Sequence, residues 1–250
     1  PPMIAAPPVT VPAHERVAPP VEDREVDLVV VGAGVAGLTA ALVAALEGRR
    51  VLVVEKAGQI GGTSARSSGT VWIPDNPSMR AQGMIDDATV ALEYLDALIG
   101  DRAPRAMRET YVAEGPRMLA YLQERADIRF RPYPVQPDYR QELPGALIGW
   151  RELEPLPFDG RLLRERFADV APPIPELMLF AGTGGMMVTR GEVNRLLRLG
   201  QSWDALDLGA RLVLRYALDR LGAPRYPRGT RLVLGNALVA RLYHLALTRG

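Results

Sequence analysis

Cysteine is absent from the 250-residue chain, which excludes disulfides, thiolate nucleophiles and cysteine metal ligands. Histidine occurs only at His14 and His244, so neither a zinc site nor a Ser-His-Asp triad is expected. Charge of one sign is lacking as well. Thirty basic residues face 29 acidic ones, and a formal net charge of +1 gives no footprint for nucleic acid or an acidic membrane. Lysine is nearly missing: Lys56 is the one lysine, and every other basic residue is arginine. The long uncharged run Leu28–Leu46 has three glycines in its first ten residues and turns from β-branched to alanine-rich, so it reads as a strand and a helix, not a transmembrane span. Demanding chemistry in such a chain must come from a bound cofactor, helped by tyrosine, arginine or carboxylates.

What is present is apolar and segmented. Hydrophobic residues make up 48%, enough for a substantial core. Residues 1–24 are rich in proline without apolar periodicity and read as a disordered leader. No basic stretch followed by an apolar run stands in them, and a cytoplasmic location is expected. Val26–Val31 reads as a strand buried on both faces, Gly34–Glu47 as a helix closed by Gly48, and Val51–Val54 as a second buried strand. Helical patterns follow over Asp87–Ile99 and Ala103–Ala113. Gly115-Pro116 is expected to break the second and start another helix to about Arg125. The Pro-rich segment of about 130–160 excludes a helix or a central strand, and helical periodicity returns over 191–199 and 203–221. Asn236 is placed to cap a last helix running to Thr248.

The first βα turn is Gly32-Ala33-Gly34-Val35-Ala36-Gly37, with Glu55 at the end of the second strand. In that context the glycines allow a tight turn, the approach of a pyrophosphate to a helix N-terminus, and close helix–strand packing. The carboxylate is placed for a ribose hydroxyl pair. "QIGGTSARSSGTVWIP" (59–74) follows directly. Paired glycines expose backbone N–H groups to an anion, and small hydroxyls reach phosphate or flavin edges without steric cost, so this loop favours FAD over a nicotinamide cofactor.

From Asp27 to Pro74, and again through "PDYRQELPG" (137–145), "RELEPLPFDG" (151–160) and "RGTRLVLGNALVARL", the sequence resembles the fumarate-reductase-like FAD oxidoreductases. Within them it is most similar to the 3-ketosteroid dehydrogenases. The resemblance implies an α/β fold: a Rossmann-like, glutathione-reductase-type FAD-binding domain with a parallel sheet. That domain would span 25–250, with Pro-rich and helical excursions (about 130–160 and 185–222). It would be incomplete, because members of the family are roughly twice as long. Carried over by position, Gly32, Ala33, Gly34, Ala36 and Gly37 face the FAD pyrophosphate, Glu55 the ribose and Lys56 the adenosine side. Gly61, Gly62, Thr63, Ser64, Ser67, Ser68 and Gly69 run past the phosphates toward the isoalloxazine. Ser68 and Arg66 depart from the family's usual glycine and aromatic, as Trp150 does from a glycine.

Tyr139 matches the family's Pro-Asp-Tyr tyrosine, which assists a second tyrosine acting as base. The implied reaction introduces a C=C bond beside a ketone, with a hydride passing to flavin N5. Its partners are then a steroid-like ketone and an external electron acceptor. Reduction of an unsaturated carboxylate, or a catalytically incompetent flavin-binding fragment, are the alternatives. Arg190 and Arg228 are candidates for holding a carboxylate in the former, although the surface is the plainer place for either. "AGTGGMMVTR" (181–190) is expected to be a turn leading into a helix.

Overall fold

The computed structural model describes residues 24–180, 184–221 and 226–249; the expected disordered leader, apart from Arg24, lies outside them. The chain opens with β1 (Leu28–Val31), α1 (Val35–Leu46) and β2 (Val51–Val54). The strands are parallel, with Leu28 opposite Val51 and Val31 opposite Val54. Alternation sorts their side chains. The side chain of Val30 lies against Gly37 of α1, and Val53 packs on the main core. Val29 and Val31 face outward and are 52% and 85% exposed, which corrects the expectation of strands buried on both faces. Among the described residues α1 packs on the inner face of the two-stranded β1–β2 sheet, and no element covers the face that carries Val29 and Val31.

Leu38, Ala41 and Leu42 of α1 pack on α7 (Leu234–Arg249), whose Ala237, Val239, Ala240 and Leu242 have essentially no exposure. Small residues on both helices allow the close approach. Between these helices the chain runs through β3 (Val71–Trp72), α2 (Pro77–Ala81), α3 (Ala88–Ile99), α4 (Arg105–Ala126), β4 (Phe130–Pro132) and β5 (Glu152–Pro155). It then passes β6 (Phe158–Asp159), β7 (Met178–Leu179), β8 (Met186–Met187), α5 (Arg190–Leu196), α6 (Trp203–Leu221) and β9 (Arg231–Leu232). The order β3-β5-β4 forms an antiparallel three-stranded sheet, and β6 pairs with β9 and β7 with β8.

Several local expectations are overturned. α4 runs unbroken through Pro116. Interior proline costs about 3 kcal/mol, but the stripe Val112, Gly115, Leu119, Leu122 and Ala126 is buried along the whole helix. Each large apolar side chain in such a stripe returns roughly 1.5–3 kcal/mol. Within the Pro-rich segment β5 is a central strand, because Pro155 stands at its end and Pro132 at the end of β4, leaving Glu152, Leu153 and Glu154 to pair. Asn236 is not a cap. α7 starts two residues earlier, and the buried Asn236 amide donates to the carbonyls of Ala65 and Ala171 while its oxygen accepts from Arg228.

The part of "AGTGGMMVTR" that is described does lead into a helix. Met186 and Met187 are buried, and Thr189 and Glu192 form a reciprocal capping box at the start of α5. Among the described residues no helix is long and apolar enough to cross a membrane.

Candidate active site

The β1–α1 turn has the geometry that its glycines suggest. Gly32 has φ +99°, and a Cβ on Gly37 would lie 2.0 Å from the Gly32 carbonyl oxygen, so only glycine fits there. The first N–H groups of α1 have no partners within the helix, and Ser64 Oγ accepts that of Val35 at 3.2 Å. Glu55 folds back onto the same turn. Its carboxylate accepts from the Ala33 N–H at 2.8 Å and the Ala57 N–H at 3.0 Å. These backbone donors, Ala33 foremost, hold its pKa below the ordinary carboxylate value. Acceptor capacity remains, because a carboxylate offers about four lone-pair positions. Lys56 is exposed beyond it.

The loop after β2 is bound to both the turn and the distal helix. The Gly61 N–H donates to the Ala33 carbonyl, which places Gly61 against the first turn. A Cβ on Gly235, in the first turn of α7, would come within 2.0 Å of the Ser64 carbonyl oxygen, and the Gly235 N–H donates to the Ser67 carbonyl. Ser67 Oγ donates to the Ser64 carbonyl and accepts from the Gly69 N–H, so this hydroxyl is spent inside the loop. Gly62, Thr63 and Ser68 remain exposed, as does Ala36 on α1. At Gly32 and Gly62 a Cβ would meet nothing within 4 Å, although both have positive φ. The backbone there borders open space, the shape an extended phosphate-bearing group requires. The residues present therefore fit a dinucleotide cofactor. A larger cavity of about 720 Å3 opens beside Glu55 between β2, α1 and α7, but Gly32, Gly34 and Gly62 do not line it.

The far end of the loop reaches a second cavity. Ser68 and Thr70 of the loop, Trp72 of β3, Tyr94 of α3, and Asp138, Tyr139 and Glu152 line it, leaving about 230 Å3. Tyr139 stands at its edge, 87% exposed, and no described residue hydrogen-bonds its hydroxyl. The structure thus brings the cofactor loop and the sequence-predicted tyrosine to one cavity.

Sequence reasoning missed what holds that cavity. Arg151 is 1% exposed and donates to Asp86 through Nε and NH2, to Asp138 through NH1, and to the Gly145 carbonyl. Asp138 also accepts from Trp72 Nε1 at 2.6 Å and from the Leu147 N–H at 2.9 Å. The Arg151 guanidinium lies 5.2 Å from the Trp72 ring. The available signal was the alternation at 151–155, which puts Arg151 on the same face as the apolar Leu153 and opposite Glu152 and Glu154.

Of the two arginines considered for a carboxylate, Arg190 is exposed and donates to Gln136. Arg228 is 6% exposed, which corrects its expected surface place. It donates to Val170 and Asn236 and lies 4.5 Å from the Phe167 ring; burial pushes its pKa down to about 10. Neither lines the cavity.

Comparison with known proteins gives the family. The chain is 41% identical over 176 residues to a 3-oxosteroid 1-dehydrogenase of Mycolicibacterium smegmatis, covering 70% of this chain and 30% of that one. It is 44% identical over 129 residues to a 4-oxocyclohexanecarboxylate 2-dehydrogenase of Sinomonas cyclohexanicum, covering 52% and 22% respectively. The crystal structure of 3-ketosteroid delta1-dehydrogenase from Sterolibacterium denitrificans in complex with 1,4-androstadiene-3,17-dione superposes with TM-score 0.76 at 34% identity, over 90% of this chain and 39% of that one. The aligned residues thus cover less than a third of the length of these two curated relatives and 39% of the solved structure. The profile of the FAD binding domain family matches residues 27–250, and the chain belongs to that family.

Proposed function

We propose that this chain carries the cofactor half and one wall of the substrate site of a flavin-dependent dehydrogenase that introduces a C=C bond beside a ring ketone, of the 3-ketosteroid type. One observation carries the reading: a single cavity is bounded by the end of the cofactor loop, Ser68 and Thr70, and by Tyr139. The names of the two relatives reported above support it, since each names a cyclic ketone. In this reading Gly32, Gly34, Gly37 and Gly62 present backbone to the FAD phosphates, Glu55 takes the ribose hydroxyls, and Ser68 and Thr70 border the flavin end. Bound FAD supplies the acceptor for a hydride from the β-carbon. The chain's own part is to hold the ring with one face toward the cofactor and to help remove the α-proton at the Tyr139 hydroxyl. An external oxidant must then take the two electrons.

The test is desaturation of a 3-keto-4-ene steroid by the FAD-loaded protein, with an artificial electron acceptor. Tyr139→Phe is expected to lower kcat by about 100-fold or more, the usual share of positioned acid–base catalysis. Turnover equal to that of the parent protein would remove Tyr139 from the reaction.

A further inference from the structure

β5 presents two glutamates on one face, and they are treated differently. The Glu154 carboxylate is taken by the Arg131 guanidinium and the Tyr133 hydroxyl. Glu152 has no such partners. It is 8% exposed, it lies opposite Trp72 in the strand register, and its side chain borders the cavity next to Tyr139. No described residue donates a hydrogen bond to its carboxyl group or forms an ion pair with it. Its oxygens are not sealed in protein either.

The groups around it are committed elsewhere. Asp138 is occupied by Trp72, Leu147 and Arg151. Arg190 donates to Gln136 and lies 5.3 Å from the Tyr133 ring. The Tyr94 hydroxyl accepts from the Arg140 N–H. Burial, and then Asp138, pushes the Glu152 pKa up, against the pull of Arg190. A carboxyl group that borders the cavity without a protein partner is left free to pair with a ligand.

We propose that Glu152 recognises the uncharged polar end of a ring ligand, a ketone or hydroxyl oxygen, and disfavours ligands that bring a carboxylate to the same place. This rests on the reading of the cavity as the substrate site and narrows it. At about 230 Å3 the cavity is smaller than the roughly 300–1,000 Å3 of pockets that enclose whole ligands, so it takes one end of a molecule. A carboxyl group can donate to a ketone oxygen or accept from a hydroxyl. A ligand carboxylate would have to share one proton with Glu152, as two acids at one site must. Glu152 thereby selects neutral ring ketones over keto acids.

The experiment compares 4-oxocyclohexanecarboxylate with its uncharged methyl ester, titrated into the FAD-loaded protein and followed by calorimetry and by the flavin absorbance change. The parent protein is expected to prefer the ester. In Glu152→Gln, whose amide can donate to either ligand, ester affinity should stay within about threefold while the acid gains about tenfold, corresponding to roughly 1.4 kcal/mol. Glu152→Leu should lose ester affinity about tenfold and with it the preference for the ester over the acid. If the parent binds the ester and Glu152→Gln leaves the ester-to-acid ratio unchanged, the role of Glu152 is overturned while the site assignment stands. If the parent binds neither compound, the reading of the cavity as a substrate site falls, and this inference with it.

Discussion

The Arg151 guanidinium meets the Asp86 carboxylate fork to fork, with Nε–Oδ2 and NH2–Oδ1 both at 2.8 Å and both side chains 1% exposed. Parallel bonds of this kind fix orientation as well as charge. Through its third nitrogen Arg151 also holds Asp138, the residue before Tyr139. The wall carrying Tyr139 is thereby tied to the loop before α3.

Removing one member of that buried set leaves uncompensated charge. Arg151→Met strands both Asp86 and Asp138 and is expected to cost about 3–5 kcal/mol. Arg80→Ala removes an exposed partner of Asp75 and should cost less than about 1 kcal/mol. Urea unfolding followed by circular dichroism gives both values, and equal costs for the two variants would contradict the buried network.

Glycines of the cofactor turn should separate by space. Gly37→Ala drives a methyl group into the Gly32 carbonyl at 2.0 Å, and is expected to abolish both the native turn and the flavin absorbance of the purified protein. Gly62→Ala meets no atom, but φ is +49°, so it should fold with a loss of about 1–2 kcal/mol. Its cofactor affinity should fall further than that strain explains if Gly62 faces the phosphates. Native FAD affinity in Gly37→Ala would show that the close helix–strand contact is dispensable.

Glu55 makes the turn sensitive to acid. Its folded pKa lies below the ordinary 4.5, chiefly through the Ala33 N–H and then that of Ala57. The unfolded chain therefore binds the proton first as pH falls. The stabilisation is complete above the unfolded value and is lost as pH drops through the folded one. The stability difference between the parent and Glu55→Gln is thus expected to be constant from pH 7 to pH 6 and to shrink below pH 5 in urea titrations. A difference that grows on acidification would reverse the assignment.

Asn236 satisfies two carbonyls and the Arg228 guanidinium from inside α7, with no exposure of its own. Asn236→Leu is expected to cost about 2–4 kcal/mol, since each stranded buried group costs about 1–3 kcal/mol. Asn236→Asp keeps the Arg228 contact yet loses both donations, so it should retain part of the loss. A neutral Leu variant in thermal unfolding would mean that water replaces the amide.

The parts legible in the sequence were those set by local pattern. Gly32, Gly34, Gly37 and Glu55 lie within one βαβ unit, and the helix Ala88–Ile99 starts one residue after its Asp87 cap. The parts that were not legible depend on partners far along the chain. Asp138 and Arg151 look like surface charges until the fold sets them against Asp86 and Trp72. Pro116 reads as a break because its cost is local, whereas the buried stripe that carries α4 past it is tertiary. Asn236 looks like a cap for the same reason: Ala65 is 171 positions away. Val29 and Val31 were read as buried because a β-branched run records a strand's preference, not whether a layer packs on each of its faces.

The seating of Gly235 on Ser64 and Ser67 also sets a timetable. The loop at 61–69 is synthesised early, but the helix that presses it into shape emerges some 170 residues later. A contact of that sequence separation has to overcome the entropy of closing a very long loop before it stabilises anything. Completion of the 61–69 loop is thereby placed late in the maturation of the polypeptide. Until then, the paired glycines are held by the preceding turn and by the bridge of Ile60 to Asp169 and Ala171.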